Sequence, residues 1–139
     1  MTINKQLLKA LTSNSRRSVT DLAKQLGLSR ITVKQHMEQL ERQVIDGYTV
    51  RLKEDVEAKK IKTLVLIAVD QKMIKRLTEQ LRKIESVVEL ASISGEYDYA
   101  ATLSADNTAS IDNDIDTISQ IEGIQRTMTS VILSTKFRR

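Results

Sequence analysis

Three features of the sequence predict an α+β chain built of two parts. The first is a pair of short helical patterns joined by a turn at Gly27. The second is a run of six consecutive apolar residues, 64–69, followed by alternating helix and strand patterns. The third is an uneven spread of charge. Residues 1–62 hold 13 Lys and Arg against 7 Asp and Glu, whereas residues 63–139 hold 9 against 11. A basic half on a near-neutral half suggests a polyanion-binding module joined to something else.

The basic half reads as three helices and a hairpin. Ile3, Leu7, Leu8 and Leu11 recur at helical spacing. Ser18 can cap a second set, Val19, Leu22, Ala23 and Leu26, with Asp21 three residues on. Gly27 stands where a left-handed residue is wanted, and Ser29 can cap a third helix carrying Val33, Met37 and Leu40. Two helices meeting at a tight turn need a small residue, a permissive residue and a branched apolar residue. Ala23, Gly27 and Val33 supply them, so the spacing predicts a helix-turn-helix over 19–38.

Arg30, Thr32, Lys34, Gln35 and Gln39 project from the outer face of the third helix, with Ser29 at its start. Arg and Gln reach base edges bidentately, and Lys reads guanine or phosphate. Arg16 and Arg17 precede the second helix and are placed for phosphates. Any solvated helix face shows similar residues, but the turn pattern and the regional charge favour double-stranded DNA as partner. The single histidine, His36, reads as a partly exposed helix residue, and with no cysteine a zinc site is disfavoured. Asp46-Gly47, with Tyr48, Val50 and Leu52 alternating after it, predicts a two-stranded wing. The expected domains are 1–52, a charge-rich linker at 53–62, and 63–139.

In the second half the apolar run at 64–69 reads as a strand covered on both faces. Ile74, Leu77, Leu81 and Ile84 form a helix stripe. Residues 87–93 and 99–103 read as two strands, and Ile111, Ile115, Ile118 and Ile121 as a second stripe. A last strand runs over 124–137 with Val131, Ile132 and Leu133 at its centre. The order βαββαβ predicts a ferredoxin-like antiparallel sheet with both helices on one face. Its other face then needs a partner, which predicts a homodimer. Asp112, Asp114 and Asp116 read as a solvated helix face near a helix start rather than a metal site.

The loop SGEYDY, residues 94–99, is the chemically richest stretch, holding two of the three tyrosines and two carboxylates behind Gly95. Alone it admits a catalytic pair, a metal site, a ligand loop or an acidic turn. A winged helix-turn-helix followed by a βαββαβ domain resembles the Lrp/AsnC family of leucine-responsive and asparagine-responsive prokaryotic transcription regulators. The resemblance rests on LAKQLGLS at 22–29, LERQVIDGYTV at 40–50, SGEYDY, and EGIQRTMTSVI at 122–132, in that order. It implies a DNA-binding regulator whose assembly or operator binding is modulated by a small effector, usually an amino acid. By resemblance, Gly95, Glu96, Tyr97 and Asp98 carry the effector site. Backbone groups of Gly95 and Tyr97 would meet the ligand, Asp98 would face its ammonium, and Thr127 and Thr129 would close the pocket. The homodimer would assemble further through contacts at these sites. Arg30 departs from the family, whose members often carry Pro there.

Two other readings compete. A haem-precursor decarboxylase would need positioned His and Arg, but the second half has no His and only Arg76, Arg82, Arg126, Arg138 and Arg139. A small-molecule-binding assembly module without DNA contact would not need the basic outer face. The expectation is therefore no catalysis, no cofactor and no metal. The N-terminus lacks a signal-peptide core, and no run of eighteen apolar residues spans a membrane, so a cytoplasmic protein is expected.

Overall fold

The computed structural model describes residues 2–139 and divides into two compact units, Met1–Arg51 and Leu52–Arg139. In the first unit, α1 (Ile3–Ser13), α2 (Val19–Leu26) and α3 (Arg30–Gln43) each begin at a side-chain cap. Thr2 accepts from the Lys5 N–H, Ser18 from Asp21 and Ser29 from Thr32. Each such cap stabilises its helix by about 1 kcal/mol. Gly27 closes α2 at φ 66°, and its N–H and that of Leu28 converge on the Ala23 carbonyl. Only a residue tolerant of the left-handed region turns the chain this sharply without strain. Leu7, Ala10, Leu11, Leu22, Ala23, Val33 and Leu40 fill the core between the helices.

The hairpin expected after α3 is not formed: residues 44–53 carry no strand. A two-residue hairpin turn needs positive φ. Gly47 lacks it, and among the described glycines it is found at Gly27, Gly95 and Gly123. No apolar layer backs a strand here either. Val44, Tyr48 and Val50 stay exposed, and an unbacked two-stranded ribbon is marginal in water. The Tyr48 hydroxyl instead donates to Glu41 Oε1 at 3.0 Å.

The second unit opens with a one-turn helix, α4 (Glu54–Glu57), inside the segment expected to be a plain connector. It continues as β1 (Ile61–Val69), a 3-10 turn (Gln71–Met73), α5 (Ile74–Arg82), β2 (Val87–Ser92), β3 (Tyr99–Ala105), α6 (Thr108–Ser119) and β4 (Ile124–Ile132). The sheet is antiparallel in the order β2-β3-β1-β4. This is the ferredoxin-like arrangement that the element order predicts.

Alternation along β1 sorts its residues between two faces. Val65, Ile67 and Val69 pack with Ala101 and Leu103 of β3 against Leu77 and Leu81 of α5 and Ile111 and Ile118 of α6. Burying a Leu, Ile or Val side chain stabilises by roughly 1.5–3 kcal/mol, so this layer is the main source of stability. Leu64, Leu66 and Ala68 point the other way. In register beside them lie Ala100, and Ser130, Met128 and Arg126. Both long helices pack on the first face, and Met128 and Ile132 stay 48% and 40% exposed.

The last strand is shorter than expected and ends at Ile132. Val131 is exposed and Leu133 is 94% exposed, so the apolar centre expected at 131–133 is not core. β4 is an edge strand: β1 pairs with Val131 and Ile132 on one side, and no strand covers the other. Gly123 before β4 has φ 97°, and its carbonyl accepts from Asp70 N–H at 2.8 Å. A Cβ there would lie 2.7 Å from Met73 Cβ, so glycine is required twice over.

Candidate DNA-binding surface and effector loop

The turn at Gly27 presents α3 with its core residues, Val33 and Leu40, against α1 and α2. Its opposite side is solvent-facing. Arg30, Lys34 and Gln35 are exposed there, and their side chains make no hydrogen bond or ion pair with the described residues. Arg16, before α2, is also exposed, and only its backbone is engaged, donating to Asn14 Oδ1.

The other expected DNA contacts are placed differently. The Ser29 and Thr32 hydroxyls lie 2.8 Å apart within the cap of α3. Arg17 donates to Gln25 of α2. Gln39 is half-buried and accepts from Asn4 Nδ2 at 3.4 Å, while Asn4 Oδ1 lies 2.6 Å from His36 Nδ1. Asn4 thus ties α1 to α3 through both side chains, and His36 is structural. Sequence reasoning missed Ile31, which is 72% exposed beside Lys34 and Gln35.

The loop between β2 and β3 is held by Asp98. Its N–H donates to the Ile67 carbonyl and its own carbonyl accepts from Ile93, both at 2.9 Å. Asp98 Oδ2 accepts from the Val69 N–H at 2.8 Å and Oδ1 from Gln71 Nε2 at 3.2 Å. The carboxylate expected to face an ammonium therefore braces the loop onto the end of β1. Across the loop, Arg126 of β4 donates to the Glu96 carbonyl at 3.2 Å, and its guanidinium sits 4.8 Å from the Tyr97 ring centroid. Arg126 was outside the expected site, and only its register with Ala68 brings it here.

Between these two pins lies the exposed tip. Gly95 adopts φ 126°, with open space where a side chain would be. The N–H groups of Ser94, Gly95, Glu96 and Tyr97 donate to no acceptor among the described residues. Successive N–H groups that converge in a turn form an anion-binding concavity. Thr127 shares a row with Ile67 and Tyr99 at the foot of the loop, whereas Thr129 lies two rows further away, level with Val65 and Ala101. Among the described residues no group of three or more His, Cys, Asp or Glu could hold a metal.

Comparison with known proteins places this geometry. A family described as winged helix-turn-helix DNA-binding matches residues 2–43, and one described as Lrp/AsnC ligand binding domain matches residues 62–139. The HTH-type transcriptional regulator LysM of Saccharolobus solfataricus is 28% identical over 134 residues, covering 95% of this chain and 92% of its own. The structure of Escherichia coli AsnC superposes with a TM-score of 0.86 at 22% identity, covering 98% of this chain and 93% of that one. A transcriptional regulator from Neisseria meningitidis, solved as a complex with L-Met, gives 0.88 at 17% identity, covering 99% and 93%. Among the described residues, no helix is long and apolar enough to cross a membrane. The chain belongs to the Lrp/AsnC family and is a DNA-binding transcription regulator with a ligand-binding domain.

Proposed function

We propose that this regulator answers to a free amino acid held at the tip of the 94–97 loop and acts in the cytoplasm as a homodimer able to assemble further. The observation that carries the reading is the set of four free N–H groups around Gly95. They suit a carboxylate. The exposed Glu96 carboxylate and the spare lone pairs of Asp98 suit an ammonium, and Thr127 and Thr129 supply hydroxyls from β4. The neisserial relative is itself a complex with L-Met. A second copy would cover Leu64, Leu66, Met128 and Ile132 on the open sheet face. Arg16, Arg17, Ser29, Arg30, Thr32, Lys34, Gln35 and Gln39 form or support the DNA surface, with Arg30, Lys34 and Gln35 reaching bases. The effector would act by favouring one assembly state, which resets the spacing of recognition helices along DNA.

Thermal denaturation against each of the twenty amino acids at millimolar concentration tests this. A ligand at 100 times its dissociation constant adds about 2.7 kcal/mol to the folded state. The expected result is a raised midpoint with one or a few amino acids, lost in Glu96→Gln or Thr127→Val. No hit, or one that both variants keep, overturns the effector reading and leaves DNA binding standing. Leu66→Glu should convert dimers to monomers in sedimentation; unchanged dimers would remove the open face as the interface.

A further inference from the structure

We infer that Ile31 reads the 5-methyl group of thymine, and so fixes an A·T pair in the DNA sequence that this chain selects. Ile31 is the second residue of α3 and is 72% exposed. Successive helix residues turn by about 100°. The buried Leu40 is nine residues on and therefore half a turn away, and the buried Val33 is two residues on, on the far side. Ile31 thus stands at the middle of the outward face. Lys34 and Gln35, both exposed, are its helical neighbours one turn on.

An isoleucine in this place gives the free protein nothing to pack against. On DNA the same position has a specific complement. In helix-turn-helix docking the first residues of the second helix meet the base edges of the major groove. Thymine alone among the four bases presents a methyl group there, and apolar side chains read it. A β-branched side chain on a helix is stiff about χ1, so its methyl groups are pre-positioned and little entropy is lost on contact. One further turn along the same stripe stands Glu38, an exposed acid that opposes phosphate. Close approach to the groove is thereby confined to the first two turns, where Ile31 lies.

Duplexes selected from a randomised library by the full chain provide the probe. Each thymine of the selected site is then replaced in turn by deoxyuridine, which lacks only the methyl group. Wild type should lose about fourfold in affinity at one thymine per half-site, the worth of one buried methyl. Ile31→Ser should bind thymine and uracil duplexes equally while unfolding at the same midpoint as wild type, and Ile31→Val should retain part of the discrimination. Equal losses for wild type and Ile31→Ser, or no loss for wild type at any thymine, overturn the inference. So does selection of a site with no thymine in the contacted positions, or of no sequence at all. If wild type binds duplex DNA with steep salt dependence but ignores the methyl groups, only the role of Ile31 falls. If it binds no duplex, the DNA reading falls with it.

Discussion

The two units use their charged side chains in opposite ways. All three ion pairs among the described residues, Lys62–Glu57, Arg76–Glu122 and Arg82–Glu79, lie in the second unit, which also fixes Asp98 and Arg126 by internal bonds. The first unit has none, and Arg16, Arg30 and Lys34 face water without a partner side chain. A surface that meets phosphates gains from cations left uncompensated, because each neutralised phosphate releases a counterion. A loop that binds through its backbone gains from side chains that fix its shape. Charge is left unpaired in the first unit and serves largely as a brace in the second.

The largest effect that would sharpen this contrast is expected at Asp98. Asp98→Ala leaves the N–H of Val69 unpaired, and Val69 is only 4% exposed. Losing a charge-assisted bond and stranding a buried donor should lower stability by about 2–3 kcal/mol. Asp98→Asn, which keeps one acceptor oxygen, should lose less. Urea denaturation measures both, and a loss under about 0.5 kcal/mol for Asp98→Ala would place this residue with ordinary surface positions. The brace also explains why Asp98→Ala is a poor probe of the effector: a vanished ligand response would follow from a collapsed loop.

On the recognition helix the expected pattern inverts. Arg30→Ala and Lys34→Ala should leave the urea midpoint within about 0.5 kcal/mol of wild type. In a gel-shift titration each should weaken specific DNA binding by roughly 1–3 kcal/mol. Arg16→Ala should weaken all sequences alike and reduce the salt slope by about 1. Variants that unfold more easily but bind DNA normally would erase the distinction between the units.

The same contrast explains what the sequence could and could not disclose. The helix-turn-helix was legible because its determinants are local: Ser18, Gly27 and Ser29 act within four residues of themselves, and the predicted 19–38 brackets α2 and most of α3. β1 was legible as an apolar run, although Lys62 hid its first residues, since its amine pairs back to Glu57. The wing failed because Asp46-Gly47 is a local turn signal with no apolar layer behind it. The end of β4 failed because hydrophobic sequence does not reveal which strand lies at an edge. The loop was located by its glycine and tyrosines, but its bracing was not visible. Val69 to Asp98 spans 29 residues, and Arg126 to Glu96 spans 30, so both contacts depend on register. Ile31 was passed over because an apolar residue on a helix is ordinarily assigned to the core.

A smaller effect is expected at Arg126. Its guanidinium lies over Tyr97 and holds the Glu96 carbonyl from an exposed position. An exposed cation–π contact contributes about 0.5–1 kcal/mol. Arg126→Ala should therefore shift global stability little but raise amide hydrogen exchange at Ile93 and Asp98, whose N–H groups are bonded at the two ends of the loop. Arg126→Lys should restore only part of the protection, because an ammonium lacks the planar stacking surface. Unchanged exchange in both variants would leave Asp98 as the sole brace of the loop.

The smallest expected effect appears only as a pH dependence, and it separates a braced charge from a free one. Glu57 Oε1 lies 2.7 Å from Lys62 Nζ, with the side chains 23% and 17% exposed. The hydrogen bond from Lys62 holds the Glu57 carboxyl below its ordinary value of 4.5, against the opposing effect of burial. A carboxyl whose pKa is lower folded than unfolded contributes stability that is present above the unfolded value and lost as pH falls through the folded one. Wild type and Glu57→Gln should therefore show the same urea midpoint in strong acid. As pH rises from the lowered folded-state value toward about 4.5 the wild-type midpoint should climb above that of the variant, and from there to neutral pH the gap should stay constant. Lys34→Ala, with no partner to lose, should track wild type across the whole range. If Lys34→Ala also diverged from wild type near pH 4.5, an acidic partner would be holding that lysine in the folded chain, and the recognition helix would no longer be the unit whose charge is left free.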